Sequence, residues 1–168
     1  MLQLYAQPYD ISANGFYFET VDEYQALEAQ CTNAYGQVVE EFEIQFIDGT
    51  SLDSALASAW NLDQATIWKF LDAVDGWDDE QKIRFIIAVG ECGYDRDAFE
   101  EGGAHVDITY YENLTIRGLA EQYVDEGLFG EIPDTIARYI DYDAIARDLA
   151  MDYSEIRIGN NQYLFYCN

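Results

Sequence analysis

Basic residues are what this chain has least of. Its 168 residues hold 8 Lys and Arg against 33 Asp and Glu, a formal net charge of −25 at pH 7. The first base is Lys69, so residues 1–68 carry acids and no Lys or Arg. Gripping phosphates needs clustered Lys and Arg, and their lack argues against direct binding to nucleic acid. An anionic membrane surface would repel the chain for the same reason. Basic surfaces are the partners that such a charge fits.

Histidine occurs once, as His105, and proline only twice. A single histidine leaves little from which to build a catalytic triad. There is also no Gly-rich phosphate loop and no nucleophile elbow. Carboxylates for acid–base work are abundant, but spacing singles out no pair among 33 acids. The expectation is a protein that is not an enzyme and has no cofactor.

Metal-type spacing is missing as well. The run Asp72–Glu80 has the carboxylate density of a calcium loop, yet its third position is Val74, where an EF-hand needs an acid. A helix end, a turn and a capped helix start explain that run. His105 lies on an expected strand with no cysteine nearby, which suits a structural histidine rather than a zinc ligand. No metal is expected.

Cys31, Cys92 and Cys167 have neither metal nor redox spacing and read as free thiols of a reducing compartment. The longest apolar run, Phe85–Val89, is far too short to span a bilayer. No basic segment followed by an apolar run opens the chain, so no secretory leader is expected. These readings point to the cytoplasm.

What the chain does have is apolar material: 49% hydrophobic residues, 15% aromatic, with 14 Tyr and 9 Phe. That is enough for a core and excludes a disordered acidic tail. Leu2–Tyr5 and Gly15–Glu19 read as strands around a turn at Ser12–Gly15. In Glu41–Ile47, Phe42, Ile44 and Phe46 alternate with Glu41, Glu43 and Gln45, the pattern of a half-buried strand. Thr20 with Glu23 forms a capping box for a helix over Val21–Cys31.

Thr50 with Asp53 does the same for Leu52–Trp60, and Asn61 with Gln64 for Leu62–Val74. Asp78 caps a helix running to Val89, with Asp79 and Glu80 in its first turn, and Asp95–Glu101 predicts a short helix. Gly102-Gly103 reads as a boundary. Beyond it, His105–Tyr111 alternates as a strand and Leu114–Glu126 is helical. Pro133 suits a first helical turn, and Asp141 caps Tyr142–Met151. Glu155–Ile158 and Tyr163–Tyr166 close as a hairpin around Gly159-Asn160-Asn161. The fold class expected is α+β in three small subdomains: mixed over 1–49, helical over 50–103 and mixed again over 104–168.

Charge density bounds what these acids can do. B-DNA carries one charge per ~1.7 Å of axis, so −25 matches roughly 40 Å of duplex. Spread evenly over about 8,000–9,000 Å² of surface, the acids would be more dilute than duplex phosphates, at about one per 250 Å² against one per 100 Å². Imitating DNA therefore needs the acids on one face or along an elongated body. Two other readings stay open. Lysine is limited to Lys69 and Lys82, as in halophilic acidic globular proteins. An acidic interaction module for another basic DNA-binding protein also fits.

The last third carries a resemblance. Gly118-Leu119-Ala120-Glu121-Gln122-Tyr123, then Gly130-Glu131-Ile132-Pro133, then Tyr139-Ile140-Asp141-Tyr142-Asp143 and Ala146-Arg147-Asp148-Leu149 resemble the ArdA antirestriction proteins. The strands around Gly159–Phe165 continue the likeness, which is most specific from about residue 104 to 168. The resemblance implies an elongated, dimeric DNA mimic, carried by mobile elements, that occupies the DNA groove of type I restriction–modification enzymes, both the methyltransferase core and the restriction subunit. It places the antirestriction motif on Glu126–Ile140 and dimerisation in the C-terminal block. Leu128, Phe129, Ile132, Ile136 and Tyr139 are then candidate interface residues, with local core as the equal alternative.

The residues offer their own phosphate surrogates. These are Asp72, Asp75, Glu121, Asp125 and Glu126 on polar helix faces, and Glu41 and Glu43 on an outward strand face. Asp78, Asp79 and Asp141, with Asp143, sit at helix starts, where a capping or first-turn carboxylate stays open to solvent.

Overall fold

The computed structural model describes residues 2–99, 106 and 108–167. The chain divides into two units, Met1–Val106 and Asp107–Asn168. Each unit holds a three-stranded antiparallel sheet with helices around it, so the fold is α+β. The expected Gly102-Gly103 boundary, the last residues of the expected helix 95–101 and His105 lie outside the described residues.

In the first unit β1 (Gln3–Pro8) is central, between β2 (Phe16–Phe18) and β3 (Phe42–Asp48). Leu4 faces Phe18 on one side and Phe46 on the other, and Ala6 faces Phe16 and Ile44. Leu4, Ala6, Phe42 and Ile44 are buried while Glu41 and Glu43 are exposed, because successive strand residues point to opposite faces. Against this sheet lies α1 (Val21–Glu28), whose Tyr24 ring sits 5.0 Å from Phe18 and 5.7 Å from Phe16. Burial pushes the Tyr24 hydroxyl up to about 12, with Glu28 adding to the effect and a hydrogen bond from Gln64 opposing it. Thr20 Oγ1 accepts from the Glu23 amide, and the Glu23 carboxylate accepts from Glu19, one residue earlier than a strict capping box would have it.

The central helices are α2 (Ser51–Trp60), α3 (Ile67–Gly76) and α4 (Asp79–Phe85). The expected helix start at Asn61 is corrected. Asn61 ends α2 in the left-handed region at φ 54, a conformation that Asn tolerates better than most residues. Gln64 is drawn away from capping. Its Oε1 accepts from the Phe42 amide at 2.7 Å, and its Nε2 donates to Tyr24 Oη at 2.9 Å and to the Glu40 carbonyl at 3.0 Å. It thereby ties the loop before α3 to the lead-in of β3. The helix expected to reach Val89 stops being α-helical at Phe85 and widens into a π turn over Ile86–Glu91. Gly90 lets that turn lie against α2, since a Cβ there would stand 3.1 Å from Ala59 Cβ. A 3-10 turn, Arg96–Phe99, follows. Trp60, Phe70, Phe85 and Phe99 are buried together, with Trp60 stacked on Phe85 at 4.6 Å.

In the second unit β6 (Asn161–Tyr166) is central, between β4 (Thr109–Glu112) and β5 (Tyr153–Ile158). The β5–β6 hairpin pairs Ile158 with Asn161 across Gly159, whose φ of 61 the tight turn requires, and Asn160. Its helices are α5 (Ile116–Asp125), the single turn α6 (Asp134–Ala137) and α7 (Tyr142–Leu149). Pro133 precedes α6 as its N-cap. Leu119, Ala120, Ala146, Tyr163, Leu164 and Phe165 are the buried residues of these elements, together with Ile158. Cys31 is a free, buried thiol. Cys92 and Cys167 are disulfide-bonded, which corrects the expectation of free thiols there.

Candidate functional site: the carboxylate surface

Every carboxylate singled out from the sequence is exposed: Glu41, Glu43, Asp72, Asp75, Asp78, Asp79, Glu121, Asp125, Glu126 and Asp141. Local structure explains each. Glu41 and Glu43 stand beside and on the outer face of β3. In α3, Ile67, Phe70, Leu71 and Ala73 are buried, which leaves Asp72 and Asp75 outside, three residues and so ~4.5 Å apart along the axis. Asp78 accepts from the Gln81 amide at 2.8 Å while the Gln81 side chain accepts from the Asp78 amide, a complete capping box. Asp79 follows in the first turn of α4, where the helix dipole favours an acid. Asp141 accepts from Ala144 at 3.0 Å. These caps use part of each carboxylate and leave the rest to solvent.

On α5, Leu119 and Ala120 turn inward, and Glu121 and Asp125 outward, as does Glu126 at its C-cap. Arg117 bridges Glu121 at 3.1 Å and Asp143 at 2.6 Å, and these acids hold its guanidinium above the usual range. Glu121 and Asp143 therefore share one positive charge. Glu126 accepts a neutral hydrogen bond from Gln122 at 2.8 Å. Among the described residues, Glu121 is the one member of the named set with a base within 4 Å.

The bases are largely committed elsewhere. Lys82 is buried against Asp53. Arg84 lies 3.5 Å from Glu80 and donates to the Val106 carbonyl. Arg96 lies 3.9 Å from Asp63 and donates to the Trp60 carbonyl. Among the described acids Asp53 is the buried one, and Asp10, Glu19 and Glu28 are half-buried. Hydrogen bonds from Asn33 and Ser12 hold Asp10 below the usual carboxylate range.

The segment 126–140 turns its apolar side chains outward. Leu128, Phe129, Ile136 and Tyr139 are 53–73% exposed, and Ile132 is half-buried. Gly127 and Gly130, at φ 75 and 90, allow the tight turns that do this. Arg138 stacks over the Tyr139 ring at 5.1 Å.

Sequence reading missed a cleft among Trp60, Trp77 and Phe99, because no periodicity joins residues so spaced. Among the described residues no His, Cys, Asp and Glu cluster could hold a metal ion. No helix among them is long and apolar enough to cross a membrane.

Fold and surface together define an acidic α+β protein whose carboxylates are largely exposed. Residues 4–162 match the family described as antirestriction protein (ArdA), and the chain belongs to that family. None of the curated proteins matches it. Membership implies antirestriction, the inhibition of type I restriction enzymes.

Proposed function

We propose that this chain inhibits type I restriction–modification enzymes as a DNA mimic. A homodimer sets its exposed carboxylates where phosphates would lie, in the DNA groove of the methyltransferase core and restriction subunit. Each of the three blocks 1–49, 50–103 and 104–168 would contribute carboxylates to the mimic. The reading requires neither catalysis nor a cofactor, and it suits a cytoplasmic protein of mobile elements.

One observation carries it. The named carboxylates are exposed, and among the described residues only Glu121 has a base beside it. Their charge is therefore available to a partner. The outward apolar residues of 126–140 support an interface there rather than a local core, since contiguous exposed apolar patches mark interaction sites.

The test is the affinity of the chain for a type I methyltransferase core across ionic strength. Replacing DNA in a basic groove releases the groove's counterions, so log affinity should fall steeply and linearly with log salt, and a duplex should compete. A flat profile, or simultaneous binding of the duplex, overturns the proposal.

A further inference from the structure

We propose that the cleft between Trp60, Trp77 and Phe99 is a slot for one arginine side chain of the inhibited enzyme. The partner's identity rests on the reading above; the slot itself rests on geometry. The cleft measures about 250 Å³, below the ~300–1,000 Å³ of pockets that hold cofactors or drug-sized ligands. It is the size for a side chain. Its walls are aromatic and fixed. The rings of Trp60 and Trp77 touch, 5.8 Å apart at 47°, and Trp60 and Phe99 are buried, so a guest lies against the open side of Trp77 rather than between the rings. Trp60 is held by stacking on Phe85 at 4.6 Å, and Phe99 packs edge-on against Phe85 at 5.1 Å. Trp77 is only half-buried, so part of it remains open.

Charge on the rim decides what enters. Lys69, Arg96, Asp72 and Asp97 all line the cleft. Arg96 is committed, with Nη1 on the Trp60 carbonyl at 2.9 Å and 3.9 Å from Asp63. Lys69 lies 3.8 Å from Asp97. Asp72 has no base within 4 Å among the described residues. The lining holds two acids and two bases; with Arg96 facing Asp63 and Lys69 facing Asp97, the carboxylate of Asp72 is the charge left over, inside a chain whose net charge is −25. A cation over an indole face is attracted by the ring quadrupole, and an anion is not. Guanidinium suits the slot better than ammonium, being planar, weakly hydrated and able to stack while a carboxylate takes its N–H groups. Asp72 is placed to be that carboxylate. The groove of a DNA-binding enzyme supplies such arginines in number.

The experiment uses the full chain labelled with ¹⁵N, whose 3 tryptophans each give one indole N–H signal. The probes are ethylguanidinium chloride, ethylammonium chloride and sodium benzoate at matched ionic strength. The expected result is a saturable shift of the Trp60 and Trp77 signals with ethylguanidinium, a weaker one with ethylammonium and none with benzoate, while Trp68 stays still. Benzoate moving the Trp60 and Trp77 signals ahead of guanidinium overturns the slot, as does a shift of all three signals alike.

The second measurement is binding to the methyltransferase core. Trp77→Ala should weaken it about 3- to 30-fold without changing the salt slope, since no charge is removed; Trp77→Phe should recover most of the loss. Asp72→Asn, on an exposed side chain, should weaken it as well and lower the slope. If Trp77→Ala and Asp72→Asn, both folded by circular dichroism, bind as tightly as the parent while the parent's salt slope is steep, the slot alone fails. A flat parent slope removes the DNA-mimic reading, and with it the named partner.

Discussion

Lys82 Nζ lies 3.0 Å from Asp53 Oδ1, and the two side chains are only 10% and 9% exposed. The pair joins the first turn of α2 to α4. Asp53 also accepts from Thr50 Oγ1 at 2.6 Å, and Thr50 Oγ1 accepts from the Asp53 amide at 3.0 Å. A chain with 8 bases thus places one of them inside, where it neutralises nothing on the surface. The acidic exterior is left intact, and the helical core beneath it is fastened internally.

Removing one partner of this pair should be costly, because the other is left charged and out of water. Lys82→Met is expected to lower stability by about 3–5 kcal/mol. The double variant Lys82→Met with Asp53→Leu should recover most of that, since an apolar pair of similar volume often replaces a buried ion pair without loss. Urea unfolding of the single and double variants decides. A cost under about 1 kcal/mol for Lys82→Met would mean that water reaches the pair.

The same pair sets a pH dependence. Burial pushes the Asp53 carboxyl up, but hydrogen bonds from Thr50 and Lys82 and the Lys82 charge outweigh it, and it sits below its ordinary 3.8. Its folded value lies below its unfolded one, so its contribution is present above about pH 3.8 and is lost as pH falls through the lower folded value. Asp53→Asn should flatten the acid limb of the stability profile below that point and reduce stability above it. An acid limb as steep in Asp53→Asn as in the parent would assign the dependence to other carboxylates.

Much of the local structure was legible because it is written over short spans. The Thr20, Thr50 and Asp78 caps, the alternation of β3 and the closing hairpin each depend on residues within a few positions of one another. What was hidden depends on distance in space. The Thr50–Asp53 cap is visible in the sequence, but not that the same carboxylate reaches Lys82 on another helix. Asn61 and Gln64 mimic a capping box, yet Asn61 terminates α2 and Gln64 bonds Phe42 and Tyr24. The exposed acids could be read from amphipathic faces. The cleft of Trp60, Trp77 and Phe99 could not, since those rings converge only after α2 to α4 have packed. Leu128, Phe129, Ile136 and Tyr139 have the spacing of one helix face, but Gly130 and Pro133 interrupt the segment, so pattern alone left core and interface equal.

Carboxylates on α5 should be unequal in effect. Glu121 is already half-answered by Arg117, which it shares with Asp143, whereas Asp125 and Glu126 have no base within 4 Å among the described residues. Asp125→Asn and Glu126→Gln should each weaken binding to the methyltransferase core a few-fold. Each should lower the slope of log affinity against log salt by about 1 if it stands for one phosphate. Glu121→Gln should do less. Combining the changes should multiply the losses, because the sites are many and screened. Titrations of the single and combined variants at several salt concentrations would show it. Losses concentrated in Glu121→Gln would contradict a phosphate-by-phosphate mimic.

The apolar patch on 126–140 gives the sharpest test of assembly. Phe129 is 57% exposed and Tyr139 73%, so a charge at either creates no cavity within the unit. If the patch joins two copies, Phe129→Asp places an acid from each copy at an apolar seam between chains already at −25. The expected outcome is a monomer in sedimentation velocity at concentrations where the parent is a dimer, with far-ultraviolet circular dichroism unchanged. If the proposed mimicry holds, inhibition should weaken by more than tenfold, because the charge of a dimer would match roughly 85 Å of duplex and that of one copy roughly 40 Å, and the loss of the second copy would remove its contacts together. Loss of secondary structure in Phe129→Asp would instead mean that the segment packs on its own unit. A folded dimer that survives both Phe129→Asp and Tyr139→Asp would place the seam elsewhere.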